Sequence, residues 1–402
     1  MIQDRHFGIP TARALLSPRE SPICIGTSIN SILFVAIGVM CSLLISQATQ
    51  AQKSTVHASI EHEGKIDCFS LEFMAAQTKP PSCEPSAVET LADRIFFGND
   101  KNISGEGLSA IIWYQKASKS LAGTPDGHVA LGPIQKARKW EALAKIHGTS
   151  ILLASTAFDR IKKGGKWDSY NTLIAWDAAT NNRVQIINEV KSNGRSSSLE
   201  MRSLFKAALA NKDFPKGPDF FKVEAMAVLP DSRILFGIRE SGKKYNDFTY
   251  QRTILAGKLS GSFPKLTIEG PLQRIFQFVP ASEMKLVEPL GISSMAYDPK
   301  REGLWILTSY EQSGPPKKIG AYLWFLSKTQ LTSETGIPKL VRLSNGNPLD
   351  FEHKSEGISV LENGTLLVVH DDDRVTTTQK TKARGESPRG KNQSYFTVVK
   401  IH

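Results

Sequence analysis

Lys222–Ser241 reads KVEAMAVLPDSRILFGIRES, and its reading decides the fold. Val223, Ala225, Ala227 and Leu229 share one face if the first half is extended. Pro230-Asp231-Ser232 supplies a turn, because proline presets φ and Asp and Ser bond back to the backbone. Ile234–Ile238 then reads as a buried second strand. The phrase returns at Lys354–Asp373, KSEGISVLENGTLLVVHDDD, where Asn363-Gly364 predicts a type I′ hairpin. Weaker copies are Gly105–Gln115 (GEGLSAIIWYQ), Lys139–Arg160 (KWEALAKIHGTSILLASTAFDR) and Pro289–Glu311 (PLGISSMAYDPKREGLWILTSYE). A repeated strand–turn–strand unit implies one repeating β architecture.

Strands of about five residues, frequent turn signals and few long helices predict an all-β chain. Repeated four-strand units favour a β-propeller over a sandwich. The copies align on Glu106, Glu141, Glu224, Ser293 and Glu356, with gaps of 35, 83, 69 and 63 residues. Six blades are expected, within a range of five to seven. Leu199–Leu209 has helical spacing and reads as a short insert packed on the sheets. Tyr395–Ile401 reads as a closing strand, of the kind that completes a unit begun at the other end of the chain.

The 402 residues are 40% hydrophobic and 22% charged, an ordinary globular composition. Arg5, Arg13 and Arg19 precede the apolar run Ile32–Ile45, and small residues follow. That order is a secretory signal over 1–51, cleaved near Ala48 or Ala51, with an uncleaved anchor as the alternative. The expected location is periplasmic or extracellular, with no membrane span once the signal is cleaved. Cys68 and Cys83 remain and are expected to pair in that oxidising setting. The N-terminal segment 52–94 would carry this disulfide, and 95–402 would form the propeller. The chain has a net charge of +11, concentrated in Arg374–Lys391. This stretch reads as a solvated loop or as an attraction for an anionic small molecule or surface polymer. Nucleic acid is not expected, since no basic motif is interleaved with aromatics. A monomer is expected.

The phrases VEAMAVLPDSRILFGIRES and SEGISVLENGTLLVVHDDD, with WEALA and GEGLS, resemble the phytase-like β-propeller superfamily. More narrowly they resemble exported bacterial proteins with a DUF3616-type domain and the "esterase-like activity of phytase" domain. The resemblance covers roughly Ile95–His402. It implies a central channel lined by the first strand of each blade. In the phytases proper, acidic residues there bind calcium and the substrate phosphate. The chain departs from them in lacking their calcium-rich acidic run and in being basic.

Radial symmetry would bring Glu106, Glu141, Glu224 and Glu356 to one ring. Such a ring suits Ca²⁺, or it caps backbone amides in every unit. A second level lies at the ends of the return strands, at Asp159-Arg160, Arg239-Glu240, Glu311 and His370–Asp373. The expected roles are catalytic for Glu224, Glu356, His370 and Asp371. Glu106, Glu141, Asp372 and Asp373 are expected on a metal, and Arg160 and Arg239 on a substrate phosphate. There is no G-x-S-x-G, H-E-x-x-H, P-loop or G-x-G-x-x-G motif and no organic cofactor is expected. The function expected is metal-assisted hydrolysis of a phosphorylated or anionic small molecule. The alternative is a non-catalytic binding or scaffold propeller with a structural glutamate ring.

Overall fold

The structure is a computed structural model. It describes residues 55–103, 105–116, 124–160, 168–192, 194–312, 318–333, 336–373, 375–377, 382–383, 385 and 387–402. The expected signal over 1–51 lies outside them. No described helix is long and apolar enough to cross a membrane.

The chain is all-β with a few short helices. It opens with β1 (Val56–Asp67) and α1 (Leu71–Ala76). The first meander follows: β2 (Pro85–Leu91), β3 (Arg94–Asn99), β4 (Ile111–Gln115) and β5 (Gly127–His128). After α2 (Gly132–Lys136) comes the second: β6 (Trp140–Lys145), β7 (Ile151–Thr156), β8 (Leu173–Asp177) and β9 (Val184–Ile186). A small hairpin, β10 (Val190–Ser192) and β11 (Arg195–Ser197), leads to α3 (Met201–Ala208). The third meander is β12 (Phe220–Val228), β13 (Arg233–Lys244), β14 (Asp247–Ser260) and β15 (Thr267–Gln277). The fourth is β16 (Leu290–Asp298), β17 (Gly303–Gln312), β18 (Lys318–Ser327) and, after α4 (Lys328–Ser333), β19 (Lys339–Arg342). The fifth is β20 (Ser355–Val360), β21 (Leu366–His370) and β22 (Gln393–Ile401), with β1 as its outer strand.

All pairings within these five units are antiparallel, and β1 also touches β19 in parallel at Val56–Val341. The first and last described strands therefore share one sheet, as the closing-strand reading of Tyr395–Ile401 implied. The first strands pack on one another in cyclic order: β2 on β6, β6 on β12, β12 on β16, β16 on β20, and β20 on β2. Hydrophobic clusters fill the spaces between consecutive units. Trp140, Trp176, Trp305 and Trp324 are fully buried there. α3 seats Met201 and Phe205 in the cluster between the second and third units, as its spacing predicted.

The described residues form five such units where six were expected. Among the described residues, the widest gap between copies holds the small β10–β11 hairpin and α3 beside its meander strands. The boundary at residue 95 cuts through the first meander, because β2 is its first strand and β1 belongs to the fifth. Cys68 and Cys83 form the disulfide, with Cα atoms 5.4 Å apart. It ties the end of β1 to the start of β2. The Cys68 and Cys83 amides also donate to the Asn392 and Lys391 carbonyls.

Candidate functional site: a charged hub under five bulges

One irregularity recurs in every unit. The register between first and second strand slips by one residue at Ser86, Glu141, Glu224, Ser293 and Glu356. A β-bulge of this kind leaves its extra residue outside the ladder and re-aims its side chain. The next residue inward is small in all five: Ala87, Ala142, Ala225, Ser294 and Gly357. Four of the five aligned positions were therefore correct. Glu106 was not: it sits exposed between β3 and β4, and Ser86 holds the equivalent place. Glu106 consequently belongs to no carboxylate ring and to no metal set with the others.

The bulges converge on a buried cluster of charges. Arg239 is 2% exposed. Its Nη1 donates to Glu224 Oε2 (2.9 Å), Ser309 Oγ (2.6 Å) and Glu356 Oε1 (3.4 Å), and so joins the third, fourth and fifth units. Ser86 Oγ donates to Glu356 Oε2 at 3.3 Å, which brings in the first. Lys222 bridges Glu224 and, at 3.3 Å, Glu141 of the second. Lys139 lies 2.9 Å from Glu141 and 3.1 Å from Asp159, and Lys354 lies 2.9 Å from Glu356. Each glutamate thus has a lysine two residues before it, as Lys139-Trp-Glu141, Lys222-Val-Glu224 and Lys354-Ser-Glu356. That Lys-x-Glu recurrence was visible in the sequence and not used.

Nearer the loops, Lys101 lies 2.6 Å from Asp100 and also contacts Glu84. Among the described residues, Glu84, Asp100 and Asp371 each bring an oxygen within 4.8 Å of the others. Of the three, only Asp371 was expected at the site. Glu84 and Asp100 escaped notice because they flank β2 and β3, outside the copy that was misaligned on Glu106.

The carboxyls fall into two electrostatic classes. Burial pushes Glu356 up to about 8 and Glu141 up to about 7, with their lysines opposing. Burial likewise lifts Asp371 to about 7, aided by Asp373, and raises Glu84 and Glu240. Glu224 and Asp100 face the same desolvation, but nearby cations overcome it. Arg239 and Lys222 hold Glu224 at about 2, and Lys139 and Lys101 hold Asp100 at about 2. Carboxyls pushed apart in this way divide acid and base roles.

The run His370–Asp373 splits up. His370 points into the fifth unit, with Nδ1 2.9 Å from Ser355 Oγ and Nε2 2.9 Å from Thr397 Oγ1. Asp372 is buried, and its carboxylate bonds His353 Nδ1 (2.6 Å) and the Lys354 amide (2.9 Å). Neither reaches the hub, so neither fits the catalytic or metal role expected of it. Asp371 does reach it, and Asp373 stands at the rim 3.5 Å from Lys354. Arg239 is spent on two glutamates, so it cannot clamp a phosphate. Arg160 lies 3.6 Å from Asp159 with its guanidinium 4.7 Å above the Tyr170 ring, at the edge of the same end.

No family model and no curated protein matches the chain. Weak structural likenesses exist. A Bacteroides ovatus GH43B from a xyloglucan locus shares 11% identity at TM-score 0.39, covering 76% of this chain, which spans 50% of that one. The catalytic domain of a Coprinopsis cinerea GH62 α-L-arabinofuranosidase shares 10% at TM-score 0.40, covering 86% of this chain and 96% of that one. A Penicillium chrysogenum α-L-arabinanase complexed with arabinobiose shares 10% at TM-score 0.42, covering 85% and 98%. Likeness this weak assigns the chain neither a family nor an activity.

Proposed function

We propose that the five meanders are the blades of a five-bladed β-propeller hydrolase whose active site is the loop-bearing end of the hub. The observation that carries this reading is the Glu84–Asp100–Asp371 group. It sets one carboxyl held ionised beside one held protonated near neutrality, within 4.8 Å. Asp371 serves as general acid to the leaving group, and Asp100 as the carboxylate that takes a proton from water. Lys101 holds the Asp100 charge in place. Glu224 and Arg239 have an architectural part: both are deep, Glu224 lies between Lys222 and Arg239, and Arg239 joins three units.

The same three carboxylates fit a divalent cation such as Ca²⁺, since their oxygens are hard ligands converging on one point. Such an ion would keep Asp371 ionised, so in that form the ion, polarising a substrate oxygen, would stand in place of Asp371 as the acid. Lys101 has a side chain 44% exposed, so it lies on the solvent side of the three carboxylates.

A second reading keeps the hub purely structural. The Lys-x-Glu pairing supports it, since every repeated glutamate is matched by a cation. One experiment separates the two readings. Ester, phosphoester and glycoside substrates are screened across pH with the wild type and Asp371→Asn. The hydrolase reading expects turnover that fails on the alkaline side as Asp371 loses its proton near pH 7, and that Asp371→Asn abolishes. No turnover on any class, with the fold intact, leaves the structural reading.

A further inference from the structure

The third unit extends beyond its neighbours at the loop-bearing end, where β13 and β14 continue as a two-stranded arm to a turn at Tyr245. Register sets Lys222, Glu240 and Tyr250 side by side across β12, β13 and β14. The next row outward is Phe220, Gly242 and Phe248. Directly opposed residues share a face, and so do residues two apart on one strand. The aromatic row therefore stands on the face that carries Lys222 and Glu240 into the hub.

The rings form a continuous wall. Phe220 meets Tyr245 edge-on at 5.9 Å and Phe248 at 5.6 Å, and Phe248 meets Tyr250 edge-on at 5.5 Å. Tyr250 ends the wall 5.6 Å from the buried Arg239 guanidinium. Gly291 makes room for it, since a Cβ there would come within 2.9 Å of the Tyr250 ring. At the outer end Tyr245 is 64% exposed, an unusual position for a large ring. Arg160 of the second unit approaches it at 6.0 Å.

At the foot of this wall each cation already lies against a carboxylate. Lys101 lies against Asp100, Lys139 against Asp159, Lys222 against Glu224 and Lys354 against Asp373. An incoming anion finds no uncompensated charge among them. A neutral hydroxyl fares better, because a carboxylate accepts its proton while the neighbouring ammonium donates to its oxygen. An aromatic wall that runs from the exposed Tyr245 past half-buried Phe248 and Tyr250 into such pairs suits a ring with one apolar face and a hydroxylated edge.

We infer that the site takes a neutral cyclic polyol, a sugar or cyclitol ring, stacked on Tyr245 and Phe248 with its hydroxyls on Lys222 and Glu240. This rests on the loop-bearing end being the active site, and it names the substrate class.

The test is calorimetric binding to the full folded chain. The probes are an array of neutral hexose and pentose oligosaccharides, myo-inositol, their phosphorylated counterparts, and p-nitrophenol as an aromatic control. The expected result is binding of at least one neutral oligosaccharide or of myo-inositol, which also tells sugar from cyclitol. Tyr245→Ala should weaken that binding about tenfold, the scale of one stacking contact. Its melting temperature should stay unchanged, since Tyr245 is exposed. Binding of only phosphorylated or aromatic probes, binding of none, or affinity indifferent to Tyr245→Ala overturns the inference. Turnover is scored separately on the wild type. Polyol binding without turnover sinks the hydrolase reading and leaves this one standing. Ester or phosphoester turnover without polyol binding does the reverse.

Discussion

The two ends of the ring of first strands are built on opposite plans. At one end, turns of two to five residues join first to second strands in all five units. At the other, the second-to-third connections run from 2 to 22 residues, and the buried charges lie beneath them. The short-turn end repeats because it only has to reverse the chain. The loop-bearing end diverges between units because that is where a site is assembled on a rigid scaffold. Even so, the bulge recurs in all five units. The fold supplies the aim, and the residue at each bulge supplies the charge.

Breaking the loop-bearing end at its centre should have the largest effect. Arg239→Leu leaves Glu224 and Glu356 without their shared cation. A buried pair broken from one side costs about 3–5 kcal/mol, and urea unfolding would measure it. A double variant, Arg239→Leu with Glu224→Leu, should lose less than the single one. If the single variant melts like the wild type, Arg239 does not hold three units together. Next in size is the disulfide. Cys68 and Cys83 are 15 residues apart, and closing such a loop is worth about 3 kcal/mol. The Cys68→Ala/Cys83→Ala double variant should show that loss in the same urea titration.

The two carboxyl classes predict opposite pH effects. Folded Glu356 titrates at about 8 against an ordinary 4.5. Between those values the folded chain keeps a proton that the unfolded chain has released, so stability falls as pH rises through that window. Glu224, held at about 2, works the other way: its contribution is lost as pH falls from about 4.5 toward 2. Glu356→Gln imitates the protonated acid, so at pH 6 it should cost under about 1 kcal/mol and flatten the alkaline decline. Glu224→Gln removes a real charge from Lys222 and Arg239 and should cost about 3 kcal/mol at the same pH. Equal losses in the two variants would show that the classes are not distinct.

Much of this was legible in the sequence. The hairpin phrase located four of the five bulges, because small residues and a polar bulge residue had to recur wherever first strands pack closely. The first unit was lost because its bulge carries Ser86, while a chance Gly-Glu-Gly in a loop copied the phrase at Glu106. The cations were legible too, as Lys-x-Glu, but a lysine before a strand reads as a solvated flank unless its partner is known to be buried. His370 misled for a related reason. The run of Asp beside it suggests a cation site, yet alternation along an extended chain sends Asp371 to the hub and Asp372 back to His353. The aromatic arm was invisible, because Phe220, Tyr245, Phe248 and Tyr250 meet only through a register between three strands.

The short-turn end offers the smallest and cleanest test. Leu229–Arg233 and Leu361–Thr365 form the same turn. In each, the first amide donates to the last carbonyl, and a side-chain oxygen, from Asp231 or Asn363, accepts the amide two residues on. The expected type I′ turn is not formed at Asn363-Gly364, since only Gly364 takes a positive φ, +84°. Ser232 stands in the matching place at +67°, where a Cβ is crowded against the backbone. Gly364→Ala should therefore cost about 1 kcal/mol, and Ser232→Gly should cost nothing or gain a few tenths. Neither should move the pH dependence set at the other end. A Gly364→Ala variant with an altered alkaline limb would mean that the two ends are coupled through the strands, and the division drawn between them would fail.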